Sequence, residues 1–216
     1  MDKPFVVYGA KGSGSVPVEA ALTVIGAPYQ VVERVTWEPA GAEAIAPVNP
    51  MRQIPALALP DGELMTESAA ILTWLADSHP AARLSPPLGD PRRPAFLRWM
   101  AFVSSQIYSL YWIRDDPSRM AVDEAHQVFV RDRTGERIAE CWRIMEAQIT
   151  PGRFLLGDAL GVLDLYVAVV SRWGPRRKRF YKDAPRMGEV VKRVDKHPRL
   201  TALWAERFPF EGNYAD

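Results

Sequence analysis

Residues 49–57, with the sequence NPMRQIPAL, decide how the first part of this 216-residue chain folds. Proline has no main-chain N–H. In a strand that begins at Pro55, the first residue that can donate a hydrogen bond to the sheet therefore comes after it. The turn sequence Pro60-Asp61-Gly62 joins this strand, predicted at 56–59, to a second at 63–65. Residues 66–71, TESAAI, then open a helix that Thr66 is expected to cap and that ends near Ser78.

The residues before this segment alternate short apolar strands with a helical pattern. Strands are predicted at 5–8 and 29–34, a helix between them at 16–25, and a short helix at 40–46. A strand, a helix and a second strand in this order predict a parallel pair with a right-handed crossover.

A change of composition divides the chain after residue 80. Residues 81–93 contain Pro86-Pro87, Gly89 and Pro91, which fit neither a helix nor a sheet. The predicted organisation is an N-terminal domain at 1–80, a linker at 81–93 and a helical domain at 94–216.

Helical periodicity dominates the second part of the chain. Apolar residues recur at helical spacing over 96–112 and again over 138–149. Residues 162–170 are apolar nearly all round, which predicts a buried central helix with Gly161 at its cap and Asp164 reaching back to the Gly161 amide. Closing helices are expected between 190 and 204.

The segments 49–57 and 66–71 resemble, in content, order and spacing, two elements of the glutathione S-transferase superfamily, here of bacterial type with a serine-type loop. The resemblance implies an α/β thioredoxin-like N-terminal domain plus an all-α C-terminal helical domain. It also implies glutathione as a cosubstrate whose thiolate attacks a small electrophile, in a transferase or a related glutathione-dependent lyase, reductase or isomerase, and a homodimeric assembly.

The same resemblance assigns the parts of a glutathione site. In this superfamily the peptide bond before the strand-entry proline is cis, and the main chain of Ile54 would then pair with the cysteinyl part of glutathione like an added strand. Ser68 at the helix start would hold the γ-glutamyl carboxylate and Glu67 its ammonium group. The predicted glutathione-binding residues are Arg52, Gln53, Ile54, Pro55, Glu67 and Ser68, with Arg52 and Gln53 at the glycyl end.

The thiol-activating group is expected in residues 8–17, YGAKGSGSVP. Serine-type transferases place a hydroxyl near the start of the first helix, and Ser13 and Ser15 are the candidate catalytic residues. Ser15 stands at the spacing of an N-cap, which would commit its hydroxyl to the amide of Val18. Ser13 does not stand at the cap position, so its hydroxyl is not committed to capping the helix. The Gly14 amide is a third candidate, and a purely structural loop is the alternative.

The acceptor pocket is expected where the helical domain faces the first domain. Tyr108 and Trp112 fall off the apolar face of the helix over 96–112, so they form either an aromatic wall of this pocket or a packing contact with another helix. Trp173 is followed by the basic run 176–179, RRKR, which would hold an anionic acceptor or simply cap a helix in solvent.

Composition argues against several other functions. Lys and Arg total 27 and Asp and Glu total 26, so no net field attracts nucleic acid or an acidic membrane surface. The loop over 9–14 lacks the ending of a P-loop. Cys141 is the sole cysteine and the three histidines lie far apart, so no metal site is expected.

Location and class complete the sequence-based expectations. The N-terminal residues contain no basic region followed by an apolar stretch, which favours a cytoplasmic protein without membrane contact. A noncatalytic transferase-like interaction module is the alternative to an enzyme. The presence of both Glu67 and Ser68 favours the enzyme, because a module that does not bind glutathione has no need of them.

Overall fold

A computed structural model describes residues 3–174 and 177–209, and its first part is a four-stranded sheet. The strands lie in the order β2-β1-β3-β4, with β1 parallel to β2 and antiparallel to β3, and β3 antiparallel to β4. Their bounds are β1 (Phe5–Gly9), β2 (Tyr29–Glu33), β3 (Ala56–Ala58) and β4 (Leu64–Thr66). The parallel pair and the short antiparallel turn are both confirmed.

Three helices accompany the sheet, namely α1 (Val16–Ile25), α2 (Pro39–Ile45) and α3 (Ser68–Ser78). Helices α1 and α3 pack against each other, and their apolar side chains share a core with the central strands. Val7, Leu22, Leu57 and Leu72 are fully buried there. Each such side chain contributes roughly 1.5 to 3 kcal/mol by leaving water, so this core fixes the edge of the sheet that carries the site.

The start of α3 differs from the prediction. Thr66 ends β4 and does not cap the helix, and the residue at the cap position is Glu67, with φ 67° and ψ 102°. Register explains the difference, because Thr66 pairs with Ala56 in the sheet and is therefore held in strand conformation.

The second part is helical. The described residues beyond β4 form no further strand, apart from an isolated bridge between Phe154 and Gly157. The helices are α4 (Arg93–Phe102), α5 (Ser109–Asp115), α6 (Glu124–Gln148), α7 (Val162–Val170), α8 (Arg177–Asp183), α9 (Pro185–Asp195) and α10 (Thr201–Arg207). The predicted fold class, a thioredoxin-like domain followed by helices, is confirmed.

The helix predicted over 96–112 is present but irregular. A π-helical segment at Val103–Tyr108 joins α4 to α5 without a break. Such wide turns shift the direction of the side chains that follow and occur frequently at functional sites. Here the segment ends at Tyr108, one of the predicted pocket residues.

Helix α7 is buried along its whole length, as its composition predicts. The Asp164 carboxylate accepts hydrogen bonds from the amides of Gly161 (2.7 Å) and Leu155 (2.8 Å), which confirms the predicted reach back to the cap. A side chain at Gly161 would lie 2.9 Å from the Leu84 carbonyl oxygen. The glycine therefore makes room for a close main-chain contact.

Within the described residues, no helix is long and apolar enough to cross a membrane. The same part of the chain holds no cluster of three His, Cys, Asp or Glu side chains arranged to bind a metal ion.

Candidate functional site

A cavity of about 580 Å³ lies where the loop before α1, the start of β3 and the start of α3 face the π-helical segment and α5. It brings together all of the predicted site residues except Ser15. Those that line it are Ser13, Arg52, Gln53, Ile54, Pro55, Glu67, Ser68, Tyr108 and Trp112.

The bond between Ile54 and Pro55 is cis, as the resemblance implied. Both residues line the cavity, and the carbonyl oxygen of Ile54 accepts a hydrogen bond from the Tyr108 hydroxyl at 3.4 Å. The main chain at Ile54 is thus an acceptor that a group in the cavity can reach.

Asn49 is a site residue that sequence reasoning quoted but did not assign. Its amide nitrogen donates to the Gln53 carbonyl at 2.8 Å, and its side-chain oxygen accepts from the Met51 amide at 3.1 Å. The side chain is buried and closes the turn that leads into Ile54. Asparagine side chains stabilise turns in this way, and that preference was the available signal.

Arg52 and Gln53 lie at the edge of the cavity. Arg52 has a positive φ of 55°, and its exposed guanidinium pairs with Glu43 at 3.0 Å. An exposed pair of this kind stabilises the fold only weakly, so the guanidinium can exchange Glu43 for another anion at little cost.

The opposite side of the cavity is the start of α3. Glu67 adopts φ 67°, an uncommon conformation for a residue other than glycine, and its exposed side chain lines the cavity. Ser68 is buried, and its hydroxyl shares a 2.7 Å hydrogen bond with the hydroxyl of Tyr166 in α7. The free amides and positive dipole end of α3 favour an anion beside this hydroxyl.

The loop before α1 holds the two candidate serines in different settings. Ser15 is fully buried and lies outside the cavity lining, whereas Ser13 lines the cavity. The predicted cap bond from the Ser15 hydroxyl to Val18 is absent. The Val18 amide donates instead to the Ser15 carbonyl at 2.9 Å, because Ser15 already has helical φ and ψ and is not extended as a capping residue is. The Ser15 hydroxyl donates to the buried Glu19 carboxylate at 2.8 Å.

Ser13 sits at the centre of the loop. Its hydroxyl oxygen accepts the amides of Ala10 (3.3 Å) and Ser15 (3.2 Å) and lies 3.1 Å from the Ser15 hydroxyl. Two main-chain donors therefore fix the position of the oxygen, and the hydroxyl proton remains available for donation to an acceptor.

Residues from the far end of the chain hold this loop in place. Arg207 bonds the Glu19 carboxylate at 2.6 Å, and its carbonyl accepts the Gly12 amide at 2.8 Å. The Trp173 indole donates to the Gly12 carbonyl at 2.7 Å. Gly12 has φ 71°, which glycine adopts at no steric cost. The pattern of the sequence contained no signal for these contacts.

Aromatic side chains form the wall toward the helices. The rings of Tyr108 and Trp173 meet edge to face, with centroids 4.7 Å apart. Trp112 is partly exposed, and the Arg119 guanidinium lies 4.4 Å from its ring centroid. Both predicted aromatic residues therefore line the cavity, Tyr108 at its inner end and Trp112 toward the solvent.

The described part of the basic run after Trp173, residues 177–179, does not line this cavity. Arg177 is fully buried, pairs with Asp195 and donates to the Ala168 carbonyl, and Arg179 pairs with Glu136. Both are structural contacts between helices, so neither the anion site nor the solvated cap considered for this run applies to them. Arg176 lies outside the described residues.

Burial keeps the two tyrosine hydroxyls of the site protonated. It raises the pKa of Tyr166 to about 12, and it raises the pKa of Tyr108 still further above the usual range of tyrosine. The nearby Glu67 carboxylate acts in the same direction on both. Both hydroxyls are therefore neutral hydrogen-bond donors at physiological pH.

Comparison with known proteins agrees with this geometry. Residues 12–78 include the cavity-lining residues Ser13, Ile54 and Ser68. They match the family model described as glutathione S-transferase, N-terminal domain. The Escherichia coli K12 protein named "Uncharacterized GST-like protein YncG" is 31% identical over 196 residues, covering 90% of this chain and 94% of that protein. The chain belongs to the glutathione S-transferase family.

Two further relatives of this transferase-family chain are informative. The glutathione S-transferase GstA of Escherichia coli O157:H7 is 26% identical over 160 residues, covering 74% of this chain and 76% of that protein. A glutathione transferase homolog from sulfitobacter, solved with bound glutathione, superimposes with a TM-score of 0.78 at 25% identity. That alignment covers 94% of this chain and 97% of the solved one.

Proposed function

We propose that this member of the glutathione S-transferase family is an enzyme that binds glutathione in the 580 Å³ cavity and activates its thiol for attack on a small electrophile. The observation that carries the proposal is the convergence of three features on one cavity. They are the carbonyl of Ile54, the start of α3 with Glu67 and Ser68, and the loop that carries Ser13.

The γ-glutamyl part of glutathione fits the start of α3. Its carboxylate would accept the Ser68 hydroxyl and the first amides of the helix, and its ammonium group would pair with Glu67. The partner of Ser68 supports this arrangement, because Tyr166 can donate to the Ser68 oxygen at 2.7 Å and so leave the serine proton for the ligand.

The remaining parts of the tripeptide follow from this anchor. The cysteinyl N–H would donate to the Ile54 carbonyl, in the manner of a strand added to β3. The glycyl carboxylate would lie at the edge formed by Arg52 and Gln53, where the weakly held Arg52 guanidinium is available.

Of the two loop serines, Ser13 is the candidate for contact with the thiol. Ser15 has a single proton, and the 2.8 Å bond to Glu19 uses it. In the pair of serine hydroxyls Ser13 is therefore the donor, and its proton can turn from Ser15 to a thiolate in the cavity. Ser15 and Glu19 are positioning residues in this scheme.

Hydrogen-bond donors of this kind can supply the free energy that is needed to lower the pKa of the thiol. Lowering a thiol pKa by about 2 units requires roughly 2.7 kcal/mol, and a hydrogen bond to a charged group contributes about 1.5 to 3 kcal/mol. In the reaction the sulfur forms a bond to an electrophilic carbon, and the leaving group departs with its electron pair. The aromatic wall at Trp112 would face the electrophile.

Thermal unfolding with and without glutathione tests the proposal. Glutathione at 100 times its dissociation constant should stabilise the protein by about 2.7 kcal/mol. Ser68→Ala should weaken glutathione affinity about 10- to 100-fold, because it removes a hydrogen bond to a charged carboxylate. Ser78→Ala, at the exposed opposite end of α3, is the matched control and should bind like the wild type.

If millimolar glutathione leaves the wild-type melting temperature unchanged, the enzyme proposal fails and a noncatalytic interaction module takes its place. Binding without turnover of an activated aryl chloride would favour the module as well.

A homodimer and a cytoplasmic location belong to the same proposal, on the family resemblance. Light scattering coupled to gel filtration should give twice the 24.2 kDa chain mass. A monomer at micromolar concentration would remove the dimer from the proposal.

A further inference from the structure

The inner end of the cavity offers a hydroxyl that the serine-type scheme does not use. Ser15 is turned into the protein and Ser13 is held by two amides from inside the loop. Tyr108 approaches from the opposite side, at the end of the π-helical segment. The Tyr108 hydroxyl contacts Ile54, the residue to which the cysteinyl part of glutathione is expected to bind.

Two contacts locate this hydroxyl. It donates to the Ile54 carbonyl at 3.4 Å, a long bond that leaves the hydroxyl weakly committed. A side-chain carbon built on Gly14 would lie only 1.9 Å from the same oxygen. The Tyr108 oxygen therefore lies against the main chain of residues 10–15, the loop before α1 that we call the thiol loop, between Gly14 and Ile54.

The ring of Tyr108 is confined by its neighbours. Trp173 lies edge to face at 4.7 Å and Tyr166 at 6.2 Å between ring centroids. Trp173 also donates a hydrogen bond to Gly12, so the same residue positions both the Tyr108 ring and the loop before α1. A donor held in this way loses little side-chain entropy when it binds a ligand atom.

We propose that Tyr108, supplied by the helical half of the chain, donates a hydrogen bond to the glutathione sulfur and so acts as a catalytic residue beside Ser13. The inference rests on the proposed glutathione site. Only three bonds separate the cysteinyl nitrogen, which would donate to Ile54, from the sulfur. A hydroxyl adjacent to both Ile54 and Gly14 therefore lies within reach of that sulfur.

The chemistry is that of a neutral donor. On binding, the Tyr108 hydroxyl turns from the Ile54 carbonyl to the sulfur, and the cysteinyl N–H takes its place on the carbonyl. The thiol proton leaves to solvent and Tyr108 keeps its own. Burial raises the pKa of Tyr108, so the hydroxyl stays protonated over the range in which the thiol ionises.

The test is a pH titration of the thiolate absorbance near 240 nm, with saturating glutathione bound to the wild type and to variants. Tyr108→Phe keeps the ring and removes the donor, and it should raise the apparent thiol pKa by about one to two units. Tyr181→Phe is the matched control, because it removes another hydroxyl bonded at 3.4 Å, to Arg177, outside the cavity. Its titration should coincide with that of the wild type.

Kinetics and stability separate the other outcomes. Tyr108→Phe should lower kcat for an activated aryl chloride at pH 6.5 by about 10-fold or more, with the ligand-free melting temperature close to wild type. The inference is overturned if glutathione binds Tyr108→Phe with an unshifted titration and only the KM for the electrophile rises, since Tyr108 is then merely a wall. Absence of glutathione binding by the wild type instead overturns the proposed function.

Discussion

The two ends of the cavity are built in different ways. At the end formed by residues 49–68, neighbouring residues set the main chain: Asn49 closes the turn before Ile54, and Glu67 turns the chain into α3. At the thiol-loop end, the position of Gly12 to Ser15 depends on residues 173 and 207, far along the chain. The first end of the cavity is therefore shaped by local sequence, whereas the loop that carries Ser13 is held by residues of the helical half.

Arg207→Ala is the variant with the largest expected effect on this comparison. Glu19 is fully buried, and loss of its partner leaves a charged group without compensation, which typically costs about 3 to 5 kcal/mol. Chemical denaturation measures the change. Arg137→Ala is the control, since it breaks a 2.8 Å pair with Glu140 whose side chains are both about half exposed.

The control should stay near wild-type stability, because exposed pairs contribute little. Equal, small effects of both variants would show that the loop is not held from the far end of the chain.

Gly14→Ala tests the contact between the loop before α1 and Tyr108 of the helical half. The added methyl group would overlap the Tyr108 hydroxyl, and overpacking of this kind costs about 1 to 3 kcal/mol. Gly135→Ala in the middle of α6 is the matched control, with the Arg114 Nε at an ordinary 3.7 Å. It should be neutral or stabilise the helix by up to about 1 kcal/mol in urea unfolding.

If Gly14→Ala is as stable as the wild type and binds glutathione normally, Tyr108 does not pack against the loop as described.

Tyr166→Phe has the smallest expected effect. It removes the partner of Ser68 from the helical half and should cost about 0.5 to 1.5 kcal/mol in stability. Calorimetric titration should show glutathione affinity lowered by less than in Ser68→Ala, because the α3 amides and Glu67 remain. An equal loss in both variants would mean that the anchoring end also depends on the helical half.

The sequence predicts the anchoring end well. The family resemblance rests on two short segments, 49–57 and 66–71, and it implied the cis bond at Pro55 and a site that includes Ile54, Glu67 and Ser68, which line one cavity. The bounds of α1 and α7 agree with the prediction, since Pro17 at the start of α1, Gly26 after its end and the apolar run of α7 are local signals.

The thiol-loop end could not be predicted because its determinants are distant. Arg207 and Glu19 are separated by 188 positions, and no pattern pairs them. The misassigned Ser15 cap has a local origin, because Ser15 has helical φ and ψ and the Val18 amide bonds its carbonyl. Helical periodicity predicted Tyr108 at the pocket, but the contacts of its hydroxyl with Ile54 and Gly14 were not predicted, because they join distant parts of the chain.

A crystal structure of the protein with bound glutathione would show where each part of the tripeptide lies in the cavity. We expect the γ-glutamyl carboxylate on the Ser68 hydroxyl, the cysteinyl nitrogen on the Ile54 carbonyl, and the sulfur within hydrogen-bonding distance of Ser13 and Tyr108. Glutathione bound elsewhere, or in this cavity with its sulfur directed away from both hydroxyls, would contradict this expectation.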